Sequence, residues 1–102
     1  MDKVWAKAEA RRAYMREYFF RWRYGITKEQ FKQLAKSQGN VCAICRRPRV
    51  LVPDHDHRTK IVRAALCNKC NRGIGFLEEN HAILVGAIRY LKHHNSRSKS
   101  IG

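Results

Sequence analysis

CAICRRPRVLVPDHDHRTKIVRAALCNKCN, residues 42–71, carries two Cys-x2-Cys pairs, Cys42/Cys45 and Cys67/Cys70, separated by 21 residues. Two such pairs match a four-thiolate zinc site, in which two short turns each offer two sulfurs to one tetrahedral ion. All 4 cysteines of the chain are used. Four thiolates leave zinc no open position for water, so the spacing predicts a structural metal and not a catalytic one. A redox dithiol or a pair of disulfides would use the same residues, but two matched pairs in a short basic chain favour the metal. In so small a chain, metal binding is expected to supply folding free energy.

Between the pairs, Val50-Leu51-Val52 and Ile61-Val62 flank a polar turn, which reads as a β-hairpin. The turn opens with Pro53-Asp54-His55-Asp56-His57, two carboxylates and two imidazoles in four residues. A plain strand has no need of that density. Carboxylate oxygens suit a hard cation such as Mg²⁺ or Mn²⁺, and a neutral imidazole suits a general base toward water. The bland alternative is a polar hairpin rim with solvated histidines. Asn71 weighs against it, because a metal anchoring both ends of the connection can bring the residue after Cys70 beside the hairpin. Asp54 and His55 are adjacent, and adjacent residues of a regular strand face opposite sides. The strand must therefore end or bend there, and Pro53, which cannot donate to a ladder, is compatible with a break.

Outward from this centre the chain reads as helices. Val4, Ala8, Met15, Tyr18 or Phe19, and Trp22 recur at helical spacing over 4–24, with Arg11, Arg12, Arg16 and Arg23 between them. Gly25 supplies a stop, and Ile26-Thr27-Lys28-Glu29-Gln30-Phe31 reads as a capping box with a hydrophobic staple opening a second helix to about Ser37. Gln38-Gly39-Asn40 ends it. Asn68 to Phe76 reads as a short helix despite Gly73 and Gly75. Asn80 caps a last helix whose apolar residues, Ile83, Leu84, Ala87, Ile88 and Leu91, stop before His93-His94, a pair placed to complement a helix C-terminus.

The whole chain has 102 residues, with 22 Lys+Arg against 8 Asp+Glu, a net charge of +14. Basic residues outnumber acidic ones seven to three over 1–24, three to one over 25–40, eight to four over 41–80 and four to none over 81–102. So even a positive field favours a polyanion, since each phosphate neutralised releases counterions. Nucleic acid is the leading partner, ahead of a membrane surface. Apolar residues at 44% exclude a disordered chain, and no apolar run approaches the ~20 residues of a membrane span. Met1 to Trp5 lack the apolar core of a secretory signal, so a cytoplasmic setting is expected.

From about Tyr24 to His93 the sequence resembles the recombination endonuclease VII family of phage and bacterial nucleases, within the His-Me finger (ββα-metal, HNH-like) superfamily. The resemblance rests on Tyr24-Gly25-Ile26-Thr27, on Gln38-Gly39-Asn40-Val41-Cys42-Ala43-Ile44-Cys45, and on Asp54-His55-Asp56-His57. It continues through Val62-Arg63, Leu66-Cys67 and Cys70-Asn71-Arg72-Gly73-Ile74-Gly75. It implies an α+β fold, a small zinc-stapled ββα-metal core with flanking helices. It also implies that Asp54 and Asn71 hold a catalytic Mg²⁺ or Mn²⁺, that His55 activates the attacking water, and that His57 lies near the scissile phosphate. The products would be 5′-phosphate and 3′-hydroxyl ends. In the family's junction-cleaving members a glutamate follows the metal-binding Asn by one helical turn; this chain has Ile74 there and Glu78 one turn further on.

The expected organisation is a basic aromatic helix over 1–24, an endonuclease VII-like His-Me finger domain over 25–94 and a flexible basic tail over 95–102. Arg58, Lys60, Arg63 and Arg72 around the centre, with Arg12 and Arg16 on the first helix, are the candidate phosphate contacts. The partner is DNA, branched or duplex, with the phage or bacterial host cytoplasm as setting. A junction has two strands to cut, and a symmetric dimer supplies two sites. Trp5, Tyr14, Tyr18, Phe19, Phe20, Trp22 and Tyr24 make the first helix the candidate dimer element, the alternative being that it covers its own domain. A zinc-stabilised DNA-binding module without catalysis is the competing reading of the whole.

Overall fold

Gly25 adopts φ 75°, a left-handed conformation open to glycine without strain, and its N–H closes on the carbonyl of Arg21 at 2.7 Å. It ends the first helix where the sequence places the stop. The computed structural model describes residues 3–101, with the side chains of 3, 4 and 96–101 excepted. The helices are α1 (Lys3–Tyr24), α2 (Lys28–Ser37), α3 (Asn68–Phe76) and α4 (His81–Ile101), and the strands are β1 (Leu51–His55) and β2 (Val62–Cys67). The sequence β1-β2-α3 is a ββα unit, and with the flanking helices it makes the expected α+β fold.

Thr27 opens α2 through a reciprocal capping box: its hydroxyl accepts from the Gln30 N–H at 3.0 Å, and the Gln30 side chain accepts from the Thr27 N–H at 2.8 Å. Glu17 of α1 accepts from the Lys28 N–H at 3.1 Å, and Phe20 sets its ring 6.0 Å from Phe31 and 4.8 Å from Tyr24. These contacts pack α1 on α2. The rest of the aromatic surface of α1 is left in solvent, with Trp22, Tyr14, Trp5, Phe19 and Tyr18 all exposed.

α2 in turn packs on β2, and the two strands form one antiparallel sheet. The buried apolar side chains among the described residues are Ala35, Cys42, Pro53, Ala65, Leu66 and Cys67, joined by the carboxylate of Asp54. Two of these are cysteines, so the expected metal site and the small core are one and the same place.

Packing groups the chain into two units, 1–68 and 69–102, divided within the first turn of α3. In the second unit the Asn80 side chain caps α4 by accepting from the Ile83 N–H at 3.0 Å. Leu84 and Ala87 are its half-buried positions, whereas Ile83, Ile88 and Leu91 of the expected stripe are exposed. α4 also runs on to Ile101, so His93 and His94 lie within it and not at its end. Their rings instead make local contacts, His93 edge-on to His94 and His94 tilted against Tyr90 at 4.5 Å. The side chains of the basic tail from 96 onward, with Met1, Asp2 and Gly102 entire, lie outside the described residues.

Candidate functional site

Pro53 lies inside β1 and does not end it. Its partner in register is Ala65, whose N–H and carbonyl are directed to Gln38 and Ala43, so the N–H that proline lacks is missed by no neighbour. The bend comes one residue later and from the other strand. Asp54 pairs with Ala64 and His55 with Val62, so one step along β1 spans two along β2 and Arg63 is the extra residue of a β-bulge. The bulged strand, here β2, bends and gains twist at Arg63, directly opposite the step from Asp54 to His55. Asp54 is buried and His55 half-buried.

The buried carboxylate of Asp54 is held by a guanidinium. Arg63 Nε donates to Oδ2 at 2.8 Å and Nη2 to Oδ1 at 3.0 Å, a two-pronged ion pair. Arg63, a candidate phosphate contact in the sequence, is thus engaged at the centre of the site. The imidazole of His55 lies between two rings, 6.5 Å from Tyr24 of α1 and 5.2 Å from the exposed His57.

Asp56 closes the hairpin. Its Oδ1 accepts from the N–H groups of Arg58 at 2.7 Å and Thr59 at 3.0 Å, while its own N–H and carbonyl bond Ile61 and Lys60. Those N–H groups, Thr59 first and then Arg58, hold its carboxyl below the usual carboxylate range. Arg58 and Lys60 project from this turn into solvent. Asp56 is therefore a turn-former, while Asp54 and His55 remain at the bulge.

The four cysteine sulfurs lie within 4.8 Å of one another. Cys67 ends β2 and Cys70 sits three residues on in the first turn of α3, so continuous backbone holds that pair. A tetrahedron of sulfurs ~2.3 Å from an ion has edges of roughly 3.8 Å, and Cys45 and Cys67 are 3.9 Å apart. The first pair is shaped by a turn in which the Arg46 N–H bonds the Cys42 carbonyl at 2.9 Å and the Ile44 N–H reaches the Cys42 sulfur at 3.4 Å. Burial pushes the Cys42 thiol up, but the N–H groups of Cys67, Cys45 and Ile44 outweigh it and bring it down to about 6. The sulfur is thereby prepared as a thiolate ligand, and the four residues fit a structural metal.

In the second unit Asn71 follows Cys70 on α3 and is half-buried, with Arg72 exposed beside it. α3 ends at Phe76, so Glu78 is not on the helix; it stands in the turn beyond, at φ 60°. On α1, Arg12 and Arg16 both flank Glu9, at 3.3 and 3.7 Å, in exposed pairs. Two residues already named from the sequence make contacts there that no local pattern signals. Arg63, the extra residue of the bulge, grips Asp54, and Tyr24, one aromatic among many on α1, meets His55 at the end of β1.

The chain is similar to known proteins over about two thirds of its length. It is 42% identical over 74 residues to the Gene 59 protein of Mycobacterium phage D29, which is 68% of this chain and 45% of that protein. With the Gene 59 protein of Mycobacterium phage L5 it shares 40% over 73 residues, 67% of this chain and 44% of the relative. The chain thus spans less than half the length of these relatives. Among solved structures it matches the crystal structure of the ββα-Me type II restriction endonuclease Hpy99I, with a TM-score of 0.51 and 33% identity over 66% of this chain and 40% of that one. Residues 17–93 match the family described as recombination endonuclease VII, and the chain belongs to that family.

Proposed function

We propose that the chain is a metal-dependent DNA endonuclease that hydrolyses phosphodiester bonds in branched, Holliday-junction-like or duplex DNA with weak sequence preference. The observation that carries this reading is the pair Asp54-His55 set at a register break, in a chain of the endonuclease VII family. His55 takes the proton of the attacking water, and its half-buried place beside Tyr24 restricts how the ring can turn. Asp54 and Asn71 offer carboxylate and amide oxygens, the donors a hard cation such as Mg²⁺ or Mn²⁺ prefers. That Asp54 already holds a cationic group on both oxygens supports its side of the assignment. When bound, such a cation supplies charge stabilisation at the phosphate and at the leaving 3′ oxygen. His57, exposed next to His55, faces the scissile phosphate, and the ends left are 5′-phosphate and 3′-hydroxyl.

Zn²⁺ is the ion assigned to Cys42, Cys45, Cys67 and Cys70, because four thiolates are its usual structural set. Arg58, Lys60 and Arg72, with Arg12 and Arg16, neutralise backbone phosphates without reading bases. A second copy pairs through the exposed aromatic residues of α1, giving one site per strand of a junction. The similarity to phage proteins supports a phage origin and a setting in the host cytoplasm.

The test is cleavage by zinc-loaded wild type and His55→Ala, with Mg²⁺ or Mn²⁺, on a four-way junction, a matched linear duplex and a supercoiled plasmid. Wild type is expected to cut, and His55→Ala to bind normally while cutting roughly 10²–10⁴-fold more slowly. Junction preference over duplex separates a resolvase from a nickase. Wild type that binds every substrate and cuts none would make the chain a non-catalytic zinc-stabilised DNA-binding module.

A further inference from the structure

Asp54 is the buried charged side chain among the described residues, 7% exposed, and a buried carboxylate without a counter-charge is costly. Arg63 supplies that charge with both prongs of one edge of its guanidinium, at 2.8 and 3.0 Å. It does so from the solvent side, its side chain being 38% exposed against 9% for Asp54. The bulge falls opposite the step from Asp54 to His55 and makes Arg63 the extra residue of β2, so the guanidinium starts from the irregularity that faces the pair.

A hard divalent cation needs a carboxylate oxygen at about 2.0–2.6 Å. Both oxygens of Asp54 already receive a guanidinium N–H. A double positive charge brought onto either of them meets the single positive charge of Arg63 a few ångströms away, where repulsion is little screened. The two cations therefore oppose each other on one carboxylate. We propose that Arg63 is a built-in competitor for the divalent cation: it occupies Asp54 in the resting protein, and cation binding displaces it toward a phosphate oxygen of the bound DNA.

This inference rests on the reading of Asp54 as a cation ligand. Its functional consequence is coupling. A phosphate that takes up Arg63 removes the competitor and so tightens the cation, and by reciprocity the cation tightens DNA. The resting protein, with Arg63 on Asp54, holds the cation weakly until substrate arrives.

The experiment is Mn²⁺ titration of the zinc-loaded full chain without DNA, read by the electron paramagnetic resonance signal of free Mn²⁺. The proteins are wild type, Arg63→Gln, Arg63→Lys and Asp54→Asn. Arg63→Gln is expected to bind Mn²⁺ about tenfold more tightly than wild type, since a nearby positive charge is removed. Arg63→Lys keeps the charge but loses the planar fork, and a smaller tightening of about two- to threefold is expected. That variant keeps the test decisive if Arg63→Gln does not fold. Equal or weaker Mn²⁺ binding by the folded Arg63 variants would overturn the competition and make Arg63 an orienting partner of Asp54. Mn²⁺ binding that survives Asp54→Asn, or is absent from every protein, would overturn the cation reading itself, and the inference with it.

Discussion

The side-chain amide of Gln38, just past the end of α2, pairs with both backbone groups of Ala65 on β2. Its Nε2 donates to the Ala65 carbonyl at 2.9 Å and its Oε1 accepts from the Ala65 N–H at 2.9 Å. A second bond from Nε2 reaches the Val41 carbonyl at 3.0 Å, just before the first cysteine pair. One glutamine thus stands in for a third strand at the outer edge of β2 and ties the hairpin to the metal turn. Ala65 is fully buried, so its N–H has no water to turn to. Gln38→Ala is expected to destabilise the zinc-loaded protein by about 2–3 kcal/mol, chiefly through that stranded donor. In a thermal melt this is a fall of roughly 10–20 °C; an unchanged melt would mean that the edge of β2 is satisfied another way.

Metal removal should unfold the first unit. Its buried apolar side chains are few, and Cys42 and Cys67 are among them. One ion bonded to all four sulfurs, which lie within 4.8 Å of one another, would tie the two turns together. A strong zinc chelator, or Cys45→Ser, is expected to abolish amide dispersion for β1 and β2 in nuclear magnetic resonance spectra, with recovery when zinc is returned to the wild type.

Asp56 sets an acid limit on the hairpin turn. Bonds from the Thr59 and Arg58 N–H groups lower its carboxyl below the unfolded value. Its contribution is therefore complete above the unfolded value of about 3.9 and is lost as pH falls through the lower folded value. Amide resonances of Arg58 and Thr59 should shift together in that acid window while those of α2 stay fixed. Asp56→Asn keeps an acceptor oxygen, so it should hold the turn and remove the pH dependence.

The exposed arginines and lysines around the hairpin make a quantitative claim about salt. If Arg58 and Lys60 each neutralise one phosphate, the double variant Arg58→Ala/Lys60→Ala weakens binding to all DNA sequences alike. It also flattens the plot of log affinity against log salt by about two. Arg12→Ala/Arg16→Ala should do the same if α1 lies along the DNA. An unchanged slope would remove that pair from the interface and leave the arginines to Glu9.

Much of the local architecture was legible because it depends on neighbours in the chain. The capping box of Thr27 and Gln30, the glycine stop at Gly25 and the Asn80 cap are contacts over a few residues, and each forms as its spacing requires. Where a signal depended on context it misled. Pro53 is compatible with a strand break, yet it sits inside β1, its register partner Ala65 bonding Gln38 and Ala43, and the irregularity comes one residue later. His93-His94 reads as a helix end, yet α4 continues past both.

By itself the sequence determined the four-cysteine site, the order of the elements, and the residue types at the centre of the hairpin, Asp54 and His55. Spacing along the chain is enough to state these, since a metal knuckle or a helix cap closes within three or four residues. Only the tertiary structure decided how that centre is built. The bulge, the grip of Arg63 on Asp54, the ring of Tyr24 beside His55 and the paired hydrogen bonds of Gln38 to Ala65 join residues 7 to 31 positions apart. Such pairings depend on strand register and helix packing, which are settled by the burial of the whole unit and by no short stretch of it.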